Sequence, residues 1–435
     1  MSPLRISTRR GSILVIPLIL VFMLLPCGTP LHAQNPQKFV PAKDLFEQLP
    51  FDEWVKEGPK QQVRWQTQVG YLGLSGYQRQ LVGIEAYVDL PDLLQRPRDR
   101  QLILLVQLTD RAGQRYRSAR TLELSSLKAV PNGGRHELQR FDWKAFALPG
   151  DYQVVMALYH ADTGEHNLAQ KRLRVPAIHN DPLVNAWRGL PGVEFWAPIS
   201  VEDIDFFYRP EFEDTLDLPL ETHRPVHMEI MVDLAASDLF HGSDVLYSRY
   251  LSAVLPTMKI FSQIQVKNGT TDVSVLDLSR REVRFRQENA RQLDWEGMKH
   301  ALTKNGAAVV SVDALSPKHK GPALIKEELT RRLTAEGESG EREAEPLRVF
   351  VLISSPLGLY SFAGLKSSLM PANCSCVVYY LEYDSSRRPG MYGAIGNVKK
   401  MLRPLPVHAF EAHSADAVRK ALAVILRDVR EAADR

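Results

Sequence analysis

The stretch Pro225–Ser237, PVHMEIMVDLAAS, decides how the rest of the chain is read. Val226 to Val232 is short and mostly apolar. It stops at an acid, Asp233, and then at the small residues Ala235, Ala236 and Ser237. An apolar run of this length with such an end is the pattern of a parallel strand buried on both faces. Its carboxyl end opens onto a loop, and in open α/β sheets ligands sit at that end.

Downstream of this strand the pattern alternates. A helix is expected over 243–262, two strands over 271–278 and 281–287 around a turn, and a helix over 289–304. A strand over 307–314 and a helix over 321–334 follow. Residues 335–346, AEGESGEREAEP, are charged without an apolar period and read as a surface loop. Residues 347–354 and 375–381 read as apolar strands, 394–402 as a helix and 407–410 as a short strand. Over 415–433 the residues Val418, Ala421, Leu422, Ile425 and Val429 recur at helical spacing. Strands with intervening helices imply a doubly wound α/β domain over residues 226–435.

Upstream, residues 179–225 form a bridge rich in proline and aromatics, among them Trp187, Phe195, Trp196, Phe206, Phe207 and Tyr208. So many rings suit a domain-packing seam better than an exposed recognition patch, because of the area they bury. Residues 61–178 carry alternating apolar runs with turn chemistry at Asn132-Gly133-Gly134 and Asp162-Thr163-Gly164-Glu165. They predict an all-β antiparallel sandwich, Ig- or fibronectin-like in architecture, without a Cys…Trp…Cys pattern. Residues 34–60 read as a short helix over 42–48 in an otherwise poorly ordered lead-in.

Residues 1–33 have the form of a secretory signal: basic Arg5, Arg9 and Arg10, an apolar run, and Leu31-His32-Ala33 before Gln34. An uncleaved anchor is the alternative. Its removal takes away three arginines and no acid, leaving 51 basic against 51 acidic residues. Neutrality argues against nucleic acid as a partner, and no membrane insertion is expected after cleavage. The expected location is secreted or periplasmic. Cys374 and Cys376 would be the remaining cysteines, too few for a disulfide framework. They read as structural, reduced or locally bridged, ahead of a redox pair.

The order of elements after Pro225 resembles a von Willebrand factor type A domain, the integrin-I-like fold, over about half the chain. The resemblance implies a metal-ion-dependent adhesion site opening with D-x-S-x-S after the first strand. Here Asp233 and Ser237 match, but Ala235 replaces a hydroxyl. Gly321-Pro322 stands where the family has a threonine, and Ser354-Ser355-Pro356 where it has an aspartate. A hard divalent cation wants near-octahedral oxygen ligation. The expectation is a vestigial site at Asp233 and Ser237, no metal or other cofactor, and a binding edge at Asp233, Ser237, Ser354 and Ser355.

Asp233, Asp277 and Asp313 each follow an expected strand and could form a carboxylate cluster, although turn and cap roles suit them better. Asp233, His241 and Ser354 or Ser355 could be imagined as a triad, but no G-x-S-x-G elbow exists, and no catalytic residue is assigned. The sequence therefore implies a non-enzymatic protein-binding or scaffold protein. Metal-dependent adhesion, an enzyme with an atypical site at the sheet's carboxyl edge, and an envelope assembly factor are the competing readings.

Overall fold

The structure is a computed structural model that describes residues 42–97, 99–127, 138–196, 215–233, 254–278, 280–290, 293–303, 323–334, 346–354, 376–383, 397–402 and 405–435. The expected strand over 307–314, Asp313, His241 and the acidic loop over 335–345 lie outside them. The chain is rich in β structure, with antiparallel sheets and one mixed sheet.

Two short helices come first, α1 (Ala42–Gln48) and α2 (Phe51–Glu57). The strands β1 (Trp65–Leu74) and β2 (Gln80–Asp89) make a hairpin, followed by α3 (Leu90–Leu94), whose Asp89 cap accepts the Asp92 N–H. Then come β3 (Gln101–Thr109), β4 (Arg115–Glu123), β5 (Leu138–Ala147), β6 (Gly150–His160), β7 (His166–Val175) and β8 (Val193–Phe195). They form two antiparallel sheets, ordered β1-β2-β5-β8 and β4-β3-β6-β7. Alternate residues such as Val82, Ile84, Val106, Trp143 and Val154 turn into one core shared by both sheets, as the two-residue strand period requires.

The lead-in differs from expectation. Phe46, Phe51 and Trp54 lie over the outer face of β3, β4, β6 and β7, against Leu105, Val155 and Leu168. Burial of these rings, each worth roughly 2–3 kcal/mol, orders a segment whose prolines had suggested a loose tether.

The mixed sheet has six strands. After β9 (Pro219–Leu220) come β10 (Val226–Asp233), α4 (residues 254–262), β11 (Gln265–Val266), β12 (Gly269–Asp277) and β13 (Glu282–Gln287). These are followed by α5 (Trp295–Thr303), α6 (Ala323–Thr334), β14 (Leu347–Ser354), β15 (Cys376–Glu382), α7 (Asn397–Leu402), β16 (Val407–Glu411) and α8 (Ala415–Ala433). The order is β13-β12-β10-β14-β15-β16, parallel except for the edge strand β13, and β9 pairs separately with β11. Gly269 sits at φ +143, where an added Cβ would fall 1.8 Å from the Val226 carbonyl oxygen, so only glycine lets β12 start this close to β10.

Each face of this sheet buries its own cluster. Val226, Met228, Ile230 and Val232 face α4, α5 and α8. Met231, Phe350, Leu352 and Tyr380 face α6 and α7. Cys376 is disulfide-bonded, which narrows the two alternatives left by the sequence; its partner lies outside the described residues.

The β1–β2 hairpin tip meets the start of α8. Gln78 is buried at φ +58, a strained region for a residue with a Cβ. Its Nε2 donates to the Ala415 carbonyl at 3.0 Å, and its own carbonyl accepts from Trp187 Nε1 at 2.7 Å. Arg419 of α8 lies over the Trp187 ring and donates to both Asp181 oxygens at 2.7 and 2.8 Å. Burial pushes the Asp181 carboxyl up, but the bonds from Arg419 and the Leu183 N–H outweigh it and hold the pKa below the ordinary value. Trp187, one of the bridge aromatics, is thus half-buried against Gln78 and Arg419, while Phe206, Phe207 and Tyr208 lie outside the described residues.

Candidate functional site

Asp233 ends β10 and Ser354 ends β14, neighbouring parallel strands in register at Val232 and Ile353. Side-chain alternation places both on the α6–α7 face. Both are fully buried, and Ser354 Oγ donates to Asp233 Oδ2 at 2.9 Å. Two of the four residues expected at the binding edge are therefore brought together; Ser237 and Ser355 lie outside the described residues. The Ser354 hydroxyl is one partner of Asp233; the loop after it, expected to supply backbone N–H donors, lies outside the described residues.

The same carboxyl edge continues into β15. Glu382 is in register with Ser354, and its Oε2 lies 3.1 Å from Lys399 Nζ of α7. Tyr380, two residues before Glu382, is buried on the same face. Burial first, then the charges of Glu382 and Asp233, push its phenol well above the usual range, so it stays protonated and can donate. Asp277, at the end of β12, turns to other partners: the Arg280 N–H at 3.1 Å and Arg284 Nη1 at 3.2 Å. It serves a turn and an ion pair rather than a cluster with Asp233.

A second polar group lies towards the other end of the same face, and the sequence reading assigned none of it. His227 and Glu229 of β10 alternate with the apolar residues facing α8, so both point to the α6 side. His227 Nε2 lies 3.4 Å from Glu229 Oε1 and 3.6 Å from Asp272 Oδ2, with Nδ1 2.5 Å from Thr270 Oγ1. These three residues offer ligand atoms within 4.8 Å of one another, a spacing that could surround a metal ion. Arg332 of α6 already meets both acids, at 2.9 Å to Asp272 Oδ2 and 3.3 Å to Glu229 Oε2. A divalent cation there would have to displace or face a buried guanidinium, so the chemistry favours an ion-paired cluster. His227 and Glu229, polar at i and i+2 in an apolar strand, were the available signal. Nothing in the sequence pointed to Arg332 as their partner.

No family model matches the chain, and no curated protein does. Among solved structures, the PilB minor pilin from Streptococcus sanguinis is 10% identical, with 87% of this chain and 91% of that chain covered at a TM-score of 0.28. The ArnB paralog VWA2 from Sulfolobus acidocaldarius is 8% identical, with 63% and 49% covered at 0.25. A family 123 glycoside hydrolase from Clostridium perfringens is 9% identical, with 74% and 65% covered at 0.24. These are weak likenesses, and at such scores they carry no argument about function. No helix among the described residues is long and apolar enough to cross a membrane.

Proposed function

We propose that this is a secreted or periplasmic, non-enzymatic protein-binding or scaffold protein. Its sheet of β10 and β12 to β16 is a von Willebrand factor A-like domain with a vestigial adhesion site. The strand order, with one antiparallel edge strand and Asp233 at the end of the central strand, supports the fold reading. The observation that carries the functional reading is the Asp233–Ser354 bond: a fully buried carboxylate held by a neighbouring hydroxyl. A metal-dependent adhesion site needs that carboxylate turned to a cation that a ligand from the partner protein completes. Partner binding here would instead run through protein surface alone.

Affinity purification of the chain from its own cell envelope, with and without a chelator, tests this. The reading expects the same partner in both. A partner retained only with Mg²⁺ or Mn²⁺ would put metal-dependent adhesion in its place.

A further inference from the structure

The strand β7 ends its sheet, paired on one side with β6. At its start the other side is covered: Leu168 exchanges both backbone bonds with Lys60, at 3.1 and 2.8 Å. In an antiparallel strand, alternate residues turn N–H and C=O to the same side. The backbone groups of Gln170, Arg172 and Arg174 therefore point outward as those of Leu168 do, and no described segment pairs with them. Their side chains lie on the outer face too, where Leu168 sits under α1 and α2.

This open length reads Gln170-Lys171-Arg172-Leu173-Arg174, three cations and no acid. Lys171, Arg172 and Arg174 are exposed. It borders a cleft of about 900 Å³ whose other wall includes Arg111 and Asp151. The acids of that wall are engaged: Arg111 pairs with Asp151, and Asp110 accepts from the Tyr116 hydroxyl and the Gln114 N–H. Lys171, Arg172 and Arg174 have no ion-pair partner among the described residues.

Charged side chains on an edge strand deter pairing with neutral or basic strands, because their solvation is lost without return. An acidic strand removes that obstacle, since opposite charges directly across a sheet attract. We propose that the edge of β7 left unpaired among the described residues binds an extended segment of a partner protein in which acidic residues alternate with apolar ones. The segment adds as a further strand beside residues 170–175, its acids opposite Arg172 and Arg174. This rests on the protein-binding reading above and specifies the partner's chemistry.

The probe is a fluorescein-labelled nonapeptide of alternating glutamate and valine, titrated into the intact chain and followed by anisotropy. We expect saturable binding. Arg172→Glu with Arg174→Glu should weaken it roughly tenfold or more. Arg172→Pro removes an outward N–H and leaves the β6 ladder intact, so it should weaken binding as well. Circular dichroism checks both variants. Should the proline variant misfold, the unaltered chain with a peptide N-methylated at alternate residues carries the same test, with loss of binding expected.

Absence of saturable binding at millimolar peptide would overturn the proposal. So would equal binding of a peptide with its glutamates in one block, or indifference to N-methylation, since either means charge attraction without strand pairing. Polygalacturonate bound more tightly than the peptide would assign the edge to an anionic polysaccharide instead. All these outcomes are independent of cation effects at Asp233, so this proposal and the adhesion-site reading fail separately.

Discussion

The two polar ends of the α6–α7 face of the mixed sheet solve one problem in different ways. At the amino-terminal end, Glu229 and Asp272 meet a full charge, the Arg332 guanidinium, with His227 beside them. At the carboxyl end Asp233 meets a hydroxyl, Ser354, while the protonated Tyr380 stands close by. An adhesion site would place its positive charge at the carboxyl end. Here Arg332, a cation that meets a carboxylate of β10, sits at the other end, while Lys399 and Arg284 at the carboxyl edge pair with Glu382 and Asp277. The difference predicts that removing Arg332 from its cluster costs more than removing the Ser354 hydroxyl from Asp233.

The largest effect should follow from breaking the first end. Arg332→Met leaves two buried carboxylates without their cation and should cost about 3–5 kcal/mol in urea unfolding. Replacing the cluster as a unit, with Glu229→Gln, Asp272→Asn and Arg332→Met, should recover most of that loss. Arg332 Nη2 has no acceptor among the described residues, so the native cluster is not fully satisfied. If the triple variant were as unstable as the single one, packing rather than charge would hold this end together.

A smaller effect is expected at the second end. Ser354→Ala removes the donor to a buried carboxylate and should cost about 1–3 kcal/mol. A loss as large as that of Arg332→Met would mean that Asp233 relies on Ser354 alone, and the contrast between the two ends would disappear.

The smallest effect concerns pH and lies in the sandwich, away from both ends. Burial holds His160 and His166 below the ordinary imidazole range, His166 with help from Lys60. A group with a depressed folded pKa contributes stability above its unfolded pKa, about 6.5 for histidine, and loses it as pH falls towards the folded value. Melting temperature should therefore decline below about pH 6.5, and His160→Leu should flatten that decline. The Glu165 carboxyl, held low chiefly by its bond from Arg96, adds its loss only below about pH 4. A melting temperature unchanged from pH 7 to 5 would contradict the histidine assignment.

How far the sequence carried the fold depended on where the deciding contacts were. The strand at Val226, the one at Leu347–Ser354 and the helix Ala415–Ala433 stand where their apolar patterns put them, because burial on a regular period is written locally. The helix α2 was missed. Its Phe51 and Trp54 lie between Pro50 and Pro59, and only packing on the sandwich makes a helix of them. The long-range contacts of Gln78 were equally hidden: its positive φ belongs to the Ser75–Arg79 turn, where its N–H donates to the Ser75 carbonyl, but Ala415, Trp187 and Arg419, which also hold it, are more than a hundred residues away. At the site, Asp233 and Ser354 could be named from strand ends. The pairing of Arg332 with Glu229 and Asp272 could not, because it depends on how α6 crosses the sheet.

Whether the protein itself satisfies Asp233 can be read from a melt in divalent cations. A cation bound to the folded state alone adds about 2.7 kcal/mol at a hundredfold excess over its dissociation constant. At roughly 2–4 °C per kcal/mol, that is a readily measured rise. We predict that millimolar Mg²⁺, Mn²⁺ or Ca²⁺ leaves the melting temperature unchanged, and that Asp233→Ala lowers it by the same amount with cation as with chelator. A cation-dependent rise in the natural chain that vanishes in Asp233→Ala would contradict the account and restore a working metal site at the end of β10.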